Sequence, residues 1–143
     1  MILTDGEGRV LWVRRRDHDV WNLPGGGNQG VEAPWETAER ETYEETGLHA
    51  RAVDLSGVYT KPDVGEVVFT FLGYVTNGRL TKSSEAAEFA YFAPGDEPPN
   101  SLPKQVERVA DAAGPQKTTL FRAQTGPSGL EQLGLIETVR QKD

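Results

Sequence analysis

Between Pro34 and Gly47 the chain reads "PWETAERETYEETG". Proline is favoured at the first position of a helix and glycine at its left-handed stop, so this stretch predicts one bounded helix. Around its axis Trp35, Ala38, Thr42 and Thr46 share a face that can pack on a sheet. Glu41, Glu44 and Glu45 fall on another, at i, i+3 and i+4, where carboxylates repel by a few tenths of a kcal/mol per pair unless neutralised. Two neutralisers fit. Arg40 can pair with Glu44 at i+4 and leave a solvated acidic face. Alternatively, a hard divalent cation such as Mg²⁺ can be held by these carboxylates together with substrate phosphates.

The upstream segment favours the cation. "DHDVWNLPGGGNQG" is loop by composition, and a glycine run lets backbone approach phosphate oxygens or lend a carbonyl to an ion. Upstream of that loop, Ile2 to Thr4, "DGEG" and "RVLWVRRR" predict a β-hairpin whose first arm is very short. Residues 53–59 predict a strand, and "VVFTFLGYV" is an apolar run with the pattern of a strand buried on both faces. Asn77-Gly78 signals a hairpin into "RLT", "EFAYFA" a further strand, and "KQVERVADAA", residues 104–113, a second helix. Beyond it, "KTTLFRA", residues 117–123, is a candidate strand to cover the sheet edge left by the short first arm, a second subunit being the alternative, with "GPSG" a turn and "LEQLGLIETVRQ" an irregular amphipathic stretch.

At 143 residues the chain has the length of one domain. A net charge of -7 argues against a nonspecific grip on nucleic acid polymers, so any phosphate ligand needs local arginines or a metal. With no cysteine, disulfides, thiolate metal sites and a cysteine nucleophile are excluded. Neither a signal peptide, a lipid anchor motif nor a long apolar run is visible, so the expectation is a cytoplasmic protein without a membrane partner.

Gly26, five residues, Glu32, seven residues, then "RETYEETGL" from Arg40 to Leu48 resembles the Nudix box, G-x5-E-x7-R-E-U-x-E-E-x-G-U. Every fixed position matches. Thr42 stands where an aliphatic residue is usual, on the face turned toward the sheet. "RVLWVRRR", "WNLPGGG" and "SSEAAEFAYF" also resemble the family's flanking pattern, so the likeness spans roughly residues 2–113, taken as a hydrolase domain 1–113 with a C-terminal extension 114–143.

The resemblance implies an α/β fold, an α/β/α sandwich around a mixed β-sheet. It also implies Mg²⁺-dependent hydrolysis of a pyrophosphate linkage in a nucleoside diphosphate derivative, with Mn²⁺ as an alternate ion. By position, Glu41, Glu44 and Glu45 are the implied metal ligands, joined by the Gly25 carbonyl. Arg40 orients a glutamate, Gly26 shapes the loop, and Glu32 caps the helix or holds the loop. Arg14 and Arg16, ending a strand beside the glycine loop, are expected on substrate phosphates, with Arg15 in solvent.

The catalytic group is expected to comprise Glu85, Glu41 and Arg40, Glu85 acting as base from the flexible "KSSEAA" loop and Glu88 being held by a neighbour. Tyr59, Phe69 and Tyr74 are read as core residues. His18 and His49 are single and unclustered, so neither is read as a general base. The expected partner is a small nucleotide, either a nucleoside triphosphate, an ADP-ribose or sugar conjugate, or a dinucleoside polyphosphate, with a homodimer as the oligomeric expectation. The reading from another class is a silent Nudix-like nucleotide sensor.

Overall fold

The structure, a computed structural model, describes residues 1–137. Seven strands and three helices follow in the order β1 (Ile2–Leu3), β2 (Val10–Arg15), β3 (Trp21–Asn22), α1 (Pro34–Thr46), β4 (Leu48–Lys61), β5 (Glu66–Gly78), β6 (Ala86–Phe92), α2 (Pro103–Ala113), β7 (Leu120–Ala123) and α3 (Gly129–Gln132). One sheet runs β1-β5-β4-β7 and the other β3-β2-β6. The first is mixed, with β1 parallel to β5, β5 antiparallel to β4 and β7 parallel to β4. This is an α/β fold in which α1 and α2 cover opposite sides of the strands.

Period-two alternation along the short strands separates two cores. Leu3, Leu11 and Phe71 join Ala38 of α1, whereas Ile2, Val10 and Trp12 join Val109 of α2. Trp21 closes the second cluster edge-on to Phe92, ring centroids 5.2 Å apart.

The helix α1 starts at Pro34 and ends where Gly47 takes φ 79°, as its flanking residues predict. Thr42 is fully buried against the sheet, and its hydroxyl donates to the Ala38 carbonyl at 2.7 Å. A buried hydroxyl satisfied within its own helix replaces an aliphatic side chain without leaving an orphan donor.

Four expectations are corrected. Thr4 makes a single bridge to Val10, but Ile2–Leu3 leave that strand and run parallel to β5, so the first hairpin does not form. No hairpin follows Asn77-Gly78 either: β5 ends at Gly78 and β6 pairs with β2 in the other sheet. β5 is not buried on both faces, because Phe69 and Tyr74 are 44% and 52% exposed, whereas Tyr59 is fully buried as expected of a core residue. Finally, "KTTLFRA" does contribute a strand, but at the β4 edge, opposite the edge held by β1.

β7 is fastened by polar contacts beneath the sheet. The buried Arg108 donates from Nε to Gln124 Oε1 at 2.9 Å and lies over the Tyr59 ring. Gln124 in turn donates to the Lys104 carbonyl at 2.8 Å and to Glu107 at 3.0 Å. Its own N–H reaches the Thr60 carbonyl at 2.7 Å. Asp111 accepts from Tyr59 Oη at 2.9 Å and from Arg122 at 3.0 and 3.1 Å. Residues 138–143, the end of the amphipathic stretch, lie outside the described residues.

Candidate active site

The glycine loop and α1 meet where the Glu41 carboxylate lies against Gly26. A Cβ on Gly26 would lie 2.4 Å from Cδ of Glu41, so the Glu41 carboxylate occupies the space a side chain there would need. One residue earlier, the Gly25 N–H donates to Glu45 Oε2 at 3.2 Å.

Arg40 ties the loop to the acidic face. Its Nε and Nη2 donate to the two oxygens of Glu32 at 2.9 and 2.8 Å, and Nη1 reaches Glu41 at 3.1 Å and Glu44 at 3.0 Å. Nη2 also approaches the Gly27 carbonyl at 3.4 Å. The Arg40 guanidinium, aided by hydrogen bonds from Thr37 and the Gln29 N–H, holds the Glu32 carboxyl down to about 2. Glu32 accepts from the Gln29 N–H at 3.3 Å on the loop side and from the Thr37 hydroxyl at 2.9 Å on the helix side. The helix start is capped by Glu36, which accepts from the Ala33 N–H at 3.1 Å.

Glu45 has the opposite environment. Burial pushes its carboxyl up to about 8, the charges of Glu41 and Glu85 adding to the rise and the Gly25 N–H opposing it. It looks into a cavity of about 450 Å³ whose polar walls come from Arg15, Arg16, Asp17, Asn22, Ser84 and Glu85. The cavity thus brings Glu85 opposite Glu45, from a different segment of the chain.

The arginines differ from expectation. Arg14 does not face the cavity; it donates to Glu88 and to Asp19, both at 2.8 Å. Arg15, expected in solvent, lines the cavity and pairs with Asp17, Nε to Oδ1 2.8 Å. Alternation along β2 accounts for this: Val13 and Arg15 both line the cavity, and Arg14 between them turns to Glu88 on β6. The bulge at this point belongs to β6, where Ala87 is the extra residue between the partners of Arg14 and Arg15. Arg16 also lines the cavity, and donates from Nε to the Ser83 carbonyl at 2.8 Å and from its N–H to the Glu85 carbonyl at 3.0 Å. It therefore steadies the loop that carries Glu85. Asn22 was not anticipated. Its signal was available, since Trp21 and Leu23 are both buried and the residue between them on a strand must point the other way.

His18 lies 3.8 Å from Asp17, and His49 stacks on Tyr43 with ring centroids 4.2 Å apart. Phe69 and Tyr74 stand outside the cavity beside Glu45.

Among the described residues no three acidic or imidazole side chains converge to enclose one ion. Arg40 draws Glu41 and Glu44 together, while Glu45 turns to Gly25. The residues nonetheless fit a hard divalent cation: the donors are carboxylate oxygens, and Glu41 is seated against Gly26, where any side chain would displace it. Of the guanidinium, only Nη1 is committed to Glu41 and Glu44, so those two can be released while Glu32 keeps Arg40 in place.

The profile of the NUDIX domain matches residues 1–112. The chain belongs to the NUDIX family. A Bacillus subtilis (strain 168) protein provisionally named an 8-oxo-dGTP diphosphatase is 31% identical over 112 residues, covering 78% of this NUDIX chain and 75% of its own length. An RNA pyrophosphohydrolase of Psychrobacter cryohalolentis is 45% identical over 58 residues, 41% of this chain and 34% of that one. The crystal structure of an ADP-ribose pyrophosphatase from Streptococcus suis 89-1591 superposes with a TM-score of 0.70 at 20% identity, over 84% of this chain and 93% of that one. At that identity the likeness establishes the NUDIX fold alone.

Proposed function

We propose that this NUDIX protein is a pyrophosphohydrolase that cleaves a nucleoside diphosphate derivative into a nucleoside monophosphate and a phosphorylated remainder, with Mg²⁺ as its ion. The observation that carries the reading is the junction of three parts. Glu41 sits against Gly26, the half-buried Glu45 faces the cavity, and Arg15, Arg16 and Glu85 stand on the cavity's other walls. A sensor has no use for a carboxylate opposite the acidic helix face. A hydrolase needs one to receive a proton.

Glu41, Glu44 and Glu45 would hold the ion, which when bound supplies charge neutralisation of the diphosphate and acidifies the attacking water. The protein's own groups do the rest. Arg15 and Arg16 bind phosphate oxygens from the β2 end of the cavity, with Asp17 keeping the Arg15 guanidinium in one orientation. Glu85 accepts the proton of the water, and Arg16, donating to the Ser83 and Glu85 carbonyls, keeps its loop at the cavity. Arg40 fixes the loop through Glu32 and sets the position of Glu41. The cytoplasm, which supplies Mg²⁺ and nucleotides, is the compartment this chemistry suits.

The test is incubation with nucleoside triphosphates, ADP-ribose, nucleotide sugars and dinucleoside polyphosphates, with Mg²⁺, with Mn²⁺ and with chelator. Metal-dependent release of a nucleoside monophosphate from at least one class is expected. No turnover of any class alongside tight nucleotide binding would make the protein a sensor.

A further inference from the structure

Consecutive glutamates on α1 open onto different cavities. Glu45 lines the cavity of about 450 Å³ described above, and Glu44 lines a second of about 470 Å³. The loop 82–85 separates them, with Ser83 on the second side and Ser84 on the first. Each volume lies in the range that holds one small organic ligand. A phosphate chain held at Glu44 and Glu45 therefore borders both cavities.

The second cavity has the chemistry of a nucleotide platform. Tyr43 and His49 stack within 18° of parallel on its wall, and Tyr43 is 49% exposed, so its ring can extend the stack. Among the described residues, Arg51, Arg79, Lys82 and Lys117 are the only lysines and arginines with no side-chain hydrogen bond or ion pair, and Arg79 and Lys82 both line this cavity. In a chain of net charge -7, two uncommitted cations beside an exposed aromatic pair are a local exception. An exposed aromatic face with adjacent cations is what a base and its phosphate require.

The surroundings fix how far the ligand extends. Past the Tyr43–His49 pair the surface turns acidic, with Glu32, Glu36 and Glu39 facing Arg40 and Arg51. A phosphodiester chain continuing there would meet like charge, whereas a ligand that ends in a nucleoside would not. We propose that this cavity binds the distal nucleoside of a dinucleoside polyphosphate, its base stacked on Tyr43 and its phosphates on Arg79 and Lys82. The assignment rests on the hydrolytic reading only for the position of the phosphate chain.

The test uses dinucleoside tetraphosphate and nucleoside triphosphate analogues made uncleavable by methylene bridges. Affinity is measured by calorimetry, and the Tyr43 and His49 ring protons are followed by NMR. Tyr43→Leu is expected to weaken the dinucleoside analogue about tenfold or more, the scale of one lost base stack. Tyr43→Phe should keep its affinity, and the triphosphate analogue should bind all three proteins equally without moving either ring signal. Equal losses for both analogues would overturn the proposal, as would no loss for either. A loss seen only with a 5′-triphosphorylated oligonucleotide would reassign the cavity to RNA ends and overturn it too. If no metal-dependent turnover is found anywhere but the tenfold difference holds, the hydrolytic reading falls and this site stands. Turnover without that difference removes the site and leaves the hydrolytic reading in place.

Discussion

At the scale of single residues, the acidic cluster is held together by groups of opposite character. Arg40 makes Glu32 a firm anion, while burial makes Glu45 a reluctant one. With the folded carboxyl of Glu45 raised from 4.5 to about 8, the folded state holds a proton that the unfolded chain has released. The metal-free protein should therefore lose stability as pH rises through that window. Metal-free Glu45→Gln, which has nothing to ionise, should match wild type near pH 4 and exceed it by up to a few kcal/mol above pH ~8. Thermal denaturation with chelator at the two pH values checks this, and a wild type that is the more stable at high pH contradicts it. Catalysis separates Glu85 from Glu88. At saturating Mg²⁺, Glu85→Gln should lower kcat by about 10²-fold, the low end of what a general base supplies. Glu88→Gln, which only removes an exposed partner of Arg14 at 2.8 Å, should change kcat little. Single-turnover rates of the two variants side by side decide it, and the reverse order would transfer the role.

Among the elements, what could be foreseen was whatever the local chain dictates. The ends of α1 follow from Pro34 and Gly47 because φ preference is a property of the residue itself. The juxtaposition of Gly26 with Glu41 was accessible through the spacing of the box. Three features were hidden because they depend on distant partners. The apolar run in β5 does not reveal that α1 covers only part of its face, leaving Phe69 in solvent. Asn77-Gly78 has the composition of a hairpin, yet a Cβ on Gly78 would lie 2.3 Å from the Gly47 carbonyl, so this glycine serves a close passage of helix end against strand end. Arg15 takes the place foreseen for Arg14 because which of β2's two alternating faces meets the cavity is set by Glu45 and Glu85, segments remote in the sequence. The link between α2 and β7 is equally nonlocal and can be tested. Gln124→Leu removes the acceptor of Arg108 Nε, and both residues are under 10% exposed. A buried charge left without its hydrogen bond should cost about 1–3 kcal/mol in denaturant unfolding, with Mg²⁺-dependent activity at low temperature preserved. No loss of stability would mean water replaces the amide.

For the molecule as a whole, the strand at Leu120–Ala123 matters beyond its four residues. It covers the β4 edge at Gly57 to Thr60 and brings Arg122 to Asp111 and Gln124 to Arg108. Removal of everything after residue 113 should lower the melting temperature and cause aggregation on warming, because an open edge beside the exposed Val67 and Phe69 invites pairing between chains. A truncated protein that stays monodisperse and as stable as the full chain would rule that out. The same geometry sets an order of events while the protein is being made. β4 is complete at Lys61, but the strand that shields it is not finished until Ala123. At elongation speeds of roughly 5–20 residues per second, the nascent sheet carries a bare edge for several seconds. A ribosome that pauses in that interval exposes an aggregation-prone surface, so the stretch between these two strands is where slow codons would be most harmful.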